Sequence, residues 1–258
     1  MKKIIYYDYG FASDDQEKIR LIKKYGFDGV FLFWKENLDE TVSALRKAGL
    51  WIETIHLPFE HCNDLWQEEE SSAEYLSKIK TAIEDAHRFA VPTVIFHVSS
   101  SVNPPAFNET GLNRFQEILS LCERYSLNLA LENLRSLNYM DYLYENCPSE
   151  HLKFCFDSGH ANAFTQNIED FPWEPYQDRM ICLHLHDNNG LRDQHLVPMT
   201  GTINWVNLVK NLKTCGYAGP LTSEAIVKKD SLISEEDFVK SVRQALNEIE
   251  SLWQQNEN

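Results

Sequence analysis

An eight-stranded parallel α/β barrel, a (β/α)8 fold forming one domain over residues 1–258, is what this sequence predicts, on three observations. Strand-like and helix-like segments alternate along the whole chain, as a parallel sheet with crossover helices requires. The strand-like segments are short continuous apolar runs, such as Val30-Phe-Leu-Phe33, of the kind expected where both faces of a sheet are covered. The length of 258 residues, 43% of them hydrophobic, matches the roughly 250 residues typical of such a barrel.

The first strand is expected over Lys3 to Tyr9, followed by a polar helix from Asp14 to Lys24. Gly26-Phe-Asp-Gly29 turns the chain into the second strand, and the next helix, Leu38 to Ala48, stops at Gly49, a suitable C-terminal cap. The third strand ends at His56. After a loop with Pro58, the acidic run Glu68-Glu69-Glu70 caps a long helix over Ser71 to Phe89. The fourth strand ends at His97, with a helix over Gly111 to Tyr125 behind it; the fifth ends at Glu132, with a helix over Tyr139 to Glu145. The sixth, seventh and eighth strands end at Asp157, His184 and Glu224, and Ser234-Glu-Glu-Asp237 starts a last helix running to Trp253. Eight strands and about eight helices result, with no low-complexity tract to divide them.

The strand ends carry the functional signal. Trp51-Ile-Glu-Thr-Ile-His56, Thr93-Val-Ile-Phe-His97, Leu129-Ala-Leu-Glu132, Phe154-Cys-Phe-Asp157, Ile181-Cys-Leu-His184 and Leu221-Thr-Ser-Glu224 each finish on an ionisable residue. His160, Asp193 and His195 follow on the adjoining loops. Ionisable groups are costly to bury unless they are paired or bound to metal, and in a closed parallel barrel the carboxyl ends of all strands converge on one cavity. Glu132, Asp157, His184 and Glu224, from four successive strands, are therefore candidate ligands of one divalent ion; mixed oxygen and nitrogen donors suit Zn, Mn, Co or Mg alike.

A net charge of −15 and a pI near 5.0 argue against partners held through phosphate backbones or anionic lipid, so neither nucleic acid nor membrane is expected. No segment reaches the ~20 apolar residues of a membrane span, the start lacks a signal peptide's apolar stretch, and six cysteines without paired spacing suit a reduced, cytoplasmic protein. A homo-oligomer is compatible with the sequence. Phe59, Trp66, Phe107, Phe164 and Trp173 fall in loops after strands, where an aromatic either stacks on a sugar ring or closes the barrel mouth. Trp34 and Phe59 are the aromatic candidates for substrate contact, and Lys35, Arg135 and Arg192 the basic candidates for a substrate phosphate. His61, His87 and His151 lie in polar or helical contexts and read as surface residues.

The phrases Ala130-Leu-Glu-Asn133, Phe156-Asp-Ser-Gly-His160, His184-Leu-His-Asp-Asn188, Asp193-Gln-His195 and Leu221-Thr-Ser-Glu224 resemble the xylose-isomerase-like TIM barrel superfamily, which holds sugar and sugar-phosphate isomerases and epimerases and endonuclease IV. The resemblance to the ketose 3-epimerase branch implies one divalent metal on Glu132, Asp157, His184 and Glu224, with the two glutamates as acid and base. The resemblance to endonuclease IV implies three zincs: one on His56, His97 and Glu132, one on Glu132, Asp157, His184 and Glu224, one on His160, Asp193 and His195. Two departures and the acidic charge favour a small polyol over DNA. Met199 stands where a glycine is common in the superfamily, and the short run from Gly190 leaves little room for a base-probing insertion. The expected activity is a metal-dependent isomerase or epimerase working through an enediolate; the alternatives are a zinc phosphodiesterase of endonuclease IV type and a non-catalytic polyol- or metal-binding barrel.

Overall fold

The computed structural model describes residues 1–164 and 168–255. Eight strands, β1 (Lys3–Tyr6), β2 (Gly29–Phe33), β3 (Trp51–His56), β4 (Thr93–Phe96), β5 (Asn128–Glu132), β6 (Leu152–Asp157), β7 (Met180–His184) and β8 (Leu221–Ser223), pair in parallel in the order β7-β6-β5-β4-β3-β2-β1-β8. Two bonds at the remaining seam, Leu185 N–H to the Thr222 carbonyl (2.8 Å) and Glu224 N–H to the Leu185 carbonyl (3.0 Å), join β7 to β8 and close the barrel. The predicted fold class is the observed one.

The helices are α1 (Asp15–Lys24), α2 (Asp39–Lys47), α3 (Glu70–Arg88), α4 (Glu109–Arg124), α5 (Asn138–Asn146), α6 (Ser158–Phe164), α7 (Trp205–Thr214) and α8 (Glu235–Gln255). Local chemistry sets their ends. Asp14 accepts from Glu17 N–H, Asn108 from Gly111 N–H and Ser234 from Asp237 N–H, each satisfying a first-turn donor that has no helical partner. Gly49 takes φ 75° after α2, a left-handed conformation open to glycine without a Cβ penalty.

Several boundaries differ from the sequence expectation. β1 stops at Tyr6, three residues early, and β4 and β8 stop one residue short of His97 and Glu224, whose side chains strand alternation turns inward. At the start of α3 the two acidic residues before the helix make no side-chain cap. Glu69 holds the N-cap position with no side-chain capping bond, while Glu68 accepts from the Thr110 hydroxyl at 3.2 Å. α6 and α7 follow segments in which turn residues and loops obscure the helical period, and they emerge only from the structure.

Alternation sorts the side chains of each strand. Ile5, Val30, Leu32, Ile52, Val94 and Leu131 face the helices and form the main core with them, each buried aliphatic contributing about 1.5–3 kcal/mol. Ile95, Ala130, Cys155 and Cys182 point into the barrel, as do Ile4, Tyr6 and Phe31. Among the described residues no helix is long and apolar enough to cross a membrane.

Candidate metal centre

The parallel register brings the strand ends to one level. Asp157 pairs with His184 across β6 and β7, Glu132 with Cys155 across β5 and β6, and Phe33 with His56 across β2 and β3. Asn133 locks two of these ends together: its side chain donates to the Asp157 carbonyl (2.9 Å) and accepts from Asp157 N–H (2.7 Å). Asp157 Oδ1 accepts the backbone N–H of His160 (2.5 Å), so this carboxylate also caps the start of α6 and swings His160 over the mouth.

The loop after β7 is anchored with equal care. Asp187, fully buried, accepts from Asn188 N–H, Ile203 N–H and the Trp205 indole N–H. Asn188 donates to the Gly159 carbonyl and accepts from Asn162. With these ties in place, Asp193 and His195 are presented back toward the barrel. His195 does so at φ 46°, an unfavourable conformation for a residue with a Cβ, held by a 3.0 Å bond from its Nδ1 to the Glu224 carbonyl and by Ile226 N–H on its own carbonyl.

All nine sequence-predicted donors meet at this mouth, around Glu132. Glu132 Oε2 lies 3.3 Å from His56 Nε2, 3.3 Å from His97 Nε2 and 3.1 Å from His184 Nδ1, while Oε1 lies 3.1 Å from His160 Nδ1. His184 Nδ1 is 3.3 Å from Glu224 Oε2. Asp193 Oδ2 is 3.3 Å from His160 Nε2 and 3.1 Å from His195 Nε2. Three donor groups follow, each with its atoms within 4.8 Å of one another: His56, His97 and Glu132; Glu132, Asp157, His184 and Glu224; and His160, Asp193 and His195, with His186 also in reach. Cys155 Sγ lies as close to Glu132 and His184, beneath the second group.

The residues fit a cation. Ligands about 2.0–2.1 Å from a tetrahedral ion stand ~3.3–3.4 Å apart, the spacing these donors already have. His56 Nε2, both Glu132 oxygens, both His184 nitrogens and Glu224 Oε2 are buried without a hydrogen-bond partner, although buried polar atoms are nearly always satisfied. His56 donates Nδ1–H to the Leu57 carbonyl (2.7 Å), which leaves its Nε2 lone pair aimed at Glu132. With protein groups alone, protons balance the charges. Burial opposes charge on Glu132 and Glu224, yet His184 and the other facing imidazoles hold both carboxyls well below the usual range. Burial likewise opposes charge on His184, His160 and His195, but the surrounding carboxylates outweigh it, raising the first two strongly and His195 to about 9. His97 goes the other way, depressed by burial.

The substrate-contact candidates separate. Phe59 belongs to the mouth, its ring 4.8 Å from that of His97 and 5.5 Å from that of His56. Arg135 is exposed over the Phe164 ring (4.0 Å), and Phe164 stacks on His160 (5.3 Å), so the guanidinium sits two layers out. Arg192 is an exposed loop residue next to Asp193. Lys35 pairs with Asp8 at 3.2 Å. Trp34 is not brought to the donors: it packs in the outer core and donates its indole N–H to Asp85 on α3 (2.9 Å). Its position just past β2, on the helix-facing side of the alternation, accounts for this.

Sequence reasoning passed over His186. Its Nε2 is 3.0 Å from Asp157 Oδ2, and its ring stacks on His195 with centroids 4.0 Å apart. A signal was available, since in an extended segment His184 and His186 share a face. Tyr6, Phe31 and Phe33, which line the mouth opposite the carboxylates, read as plain core and gave no such signal.

Comparison with known proteins places the chain. The family described as xylose isomerase-like TIM barrel matches residues 19–250. A D-tagatose 3-epimerase-like protein superposes with a TM-score of 0.80 at 22% identity, covering 100% of both chains. The 3-keto-D-glucoside 4-epimerase YcjR of E. coli superposes with a TM-score of 0.74 at 19% identity, covering 97% of this chain and 99% of that one. Likeness at these identities is likeness of fold. In sequence, the D-psicose 3-epimerase of Enterocloster bolteae is 28% identical over 120 residues, 46% of this chain and 36% of that protein. An uncharacterized protein of Sinorhizobium fredii is 28% identical over 159 residues, and the match spans 51% of its length.

Proposed function

This chain belongs to the xylose isomerase-like TIM barrel family, and from that premise we propose that it is a divalent-metal-dependent isomerase or epimerase of a sugar, sugar phosphate or keto-inositol. One observation carries the reading: two buried carboxylates, Glu132 at the end of β5 and Glu224 just past β8, both face His184 Nδ1, at 3.1 and 3.3 Å. That the structural neighbours include sugar epimerases supports it.

Glu132, Asp157, His184 and Glu224 would hold the ion. Bound there, a divalent cation supplies Lewis-acid polarisation of adjacent substrate oxygens and offsets the negative charge that develops beside the carbonyl. The chain's own groups do the rest. Glu132 and Glu224, kept ionised, are ready to accept a proton; one removes it from the carbon next to the carbonyl and the other returns it, each worth roughly 10²- to 10⁴-fold. His97, neutral through burial, and His160 orient substrate hydroxyls. Phe33 and Phe59 wall the other side of the mouth and keep water from the enediolate. The six cysteines, all without a disulfide, suit a reducing cytoplasm.

Proton exchange tests the reading. The metal-loaded protein should wash deuterium from D2O into at least one of a panel of ketoses and keto-inositols, since exchange reports enediolate formation even without net turnover. A second reading, the zinc phosphodiesterase, is favoured by the three donor groups, two of which share Glu132. The charge of −15 opposes a polyanionic substrate, so negligible binding to abasic duplex DNA at physiological salt is expected. Incision of that duplex by catalytic amounts of protein, with no exchange into any ketose, would reverse the order of the two.

A further inference from the structure

His186 is fully buried between two of the donor groups. Its Nε2 lies 3.0 Å from Asp157 Oδ2, and its Nδ1 has no hydrogen-bond partner. A carboxylate can only accept, so Nε2 carries the proton and donates it to Asp157. On its other side the ring lies flat against His195, with centroids 4.0 Å apart and planes 11° from parallel. Room for it is built in: a Cβ on Gly159 would occupy the space of the His186 ring.

Proximity alone would make His186 a fourth ligand beside His160, Asp193 and His195, since Nε2 is 3.8 Å from Asp193 Oδ1. Ring geometry excludes that role. An imidazole ligates in its own plane, and two nearly parallel stacked planes do not meet at one ion. His195 is the better ligand of the two, because its Nδ1 is engaged by the Glu224 carbonyl and its Nε2 faces Asp193 at 3.1 Å.

We infer that His186 is a positioning residue that braces both donor groups, orienting Asp157 of the Glu132 group through its N–H and His195 of the Asp193 group through its ring face. The inference rests on the reading that this mouth binds divalent cations. It assigns two separable jobs to one side chain. Phenylalanine keeps the ring and loses the N–H, whereas glutamine keeps an N–H donor and loses the ring.

Zinc affinity of the metal-stripped full chain, measured by chelator competition, separates the jobs. In an Asp193→Asn background, which leaves the Glu132 group to be read, His186→Phe should weaken zinc about 10- to 100-fold and His186→Gln by less than about threefold. In an Asp157→Asn, His56→Ala background, which removes a donor from each group containing Glu132 and leaves the Asp193 group, the pattern should invert. Circular dichroism and a thermal melt establish that each variant is folded. Equal losses for Phe and Gln in both backgrounds, or no loss in either, would overturn the brace while leaving the metal reading intact. Absence of zinc uptake by the wild-type protein would instead sink the metal reading and the brace with it.

Discussion

The two sides of the barrel mouth are built from different chemistry on the same scaffold. Strands β5 to β7 end in Glu132, Asp157 and His184, and Glu224 directly follows β8, while β1 and β2 carry Tyr6, Phe31 and Phe33. The rings close against each other and against the donors: Tyr6 on Phe31 at 5.0 Å, Phe33 on His56 at 4.5 Å, Phe31 stacked on His184 at 4.6 Å. The difference teaches what a candidate cation site of this kind needs besides ligands. An apolar wall excludes water, so charges on the opposite side act on one another in a low-dielectric setting, where each is stronger and none is free to be left unpaired. Tyr6 reports that setting, its hydroxyl driven well above its usual range by burial and by the carboxylates of Asp8 and Glu224.

The sharpest way to break the comparison is to remove charge from the donor side. Glu132→Gln or Glu224→Gln, assayed with metal restored at saturation, should lower kcat by roughly 10²- to 10⁴-fold, because a base that acts in the transition state is lost. Near-normal kcat in both would take proton transfer away from the glutamates. One of the two variants should keep partial deuterium exchange, since abstraction from a single face needs one base.

Beneath the mouth a bond joins β3 to β8 across the barrel. Glu53 of β3 accepts the hydroxyl of Thr222 on β8 at 2.6 Å in the barrel interior. Burial raises its carboxyl from 4.5 to about 7. The folded state therefore holds this proton more tightly than the unfolded chain does. Its contribution to stability is complete below 4.5 and is lost as pH rises through about 7, a swing of about 3 kcal/mol. Glu53→Gln should be close to wild type in unfolding free energy at pH 4 and more stable by about 2–3 kcal/mol at pH 8. A gap that does not widen with pH would mean that Glu53 is ionised in the fold, with a partner on the donor side.

The ring side should respond more weakly and in a different parameter. Phe59→Ala is expected to raise KM about 3- to 10-fold, the worth of one aromatic contact of about 0.5–1.5 kcal/mol, with little change in kcat. A kcat loss as large as that of the glutamate variants would erase the distinction between wall and donors.

That same distinction decided what the sequence could say. Glu132, Asp157 and His184 announce themselves because one ionisable residue ending an apolar run can be a hydrogen-bonded structural group, whereas six strand ends finishing this way need a common explanation. Phe31 and Phe33 end an apolar run too, yet apolar is what a buried strand requires, so their service as a wall has no signature of its own. Trp34 looked like a mouth aromatic from its place after β2, but its side was set by strand alternation and by Asp85, 51 residues away. His186 and Glu53 were hidden for a further reason: their roles depend on Asp157 and Thr222 from other strands, brought within reach by the β6–β7 pairing in the first case and across the barrel interior in the second.

The smallest effect expected concerns how the donor side holds its loop, since the ring side is fixed by packing and the loop is fixed partly by backbone strain. Met199 sits at φ 70°, in the left-handed region that glycine adopts without a Cβ penalty. The Met199 side chain packs half-buried against the main core, so replacing it forfeits that contact whatever replaces it. Comparing Met199→Gly with Met199→Ala cancels the forfeited contact and isolates the backbone. Alanine keeps the Cβ that the left-handed conformation resists, whereas glycine gives it up at some cost in unfolded-state entropy. Glycine should come out more stable by about 1 kcal/mol in urea or thermal unfolding. Equal stability, or an advantage for alanine, would show that the anchors at Asp187 and Asn188 hold this loop without strain at Met199.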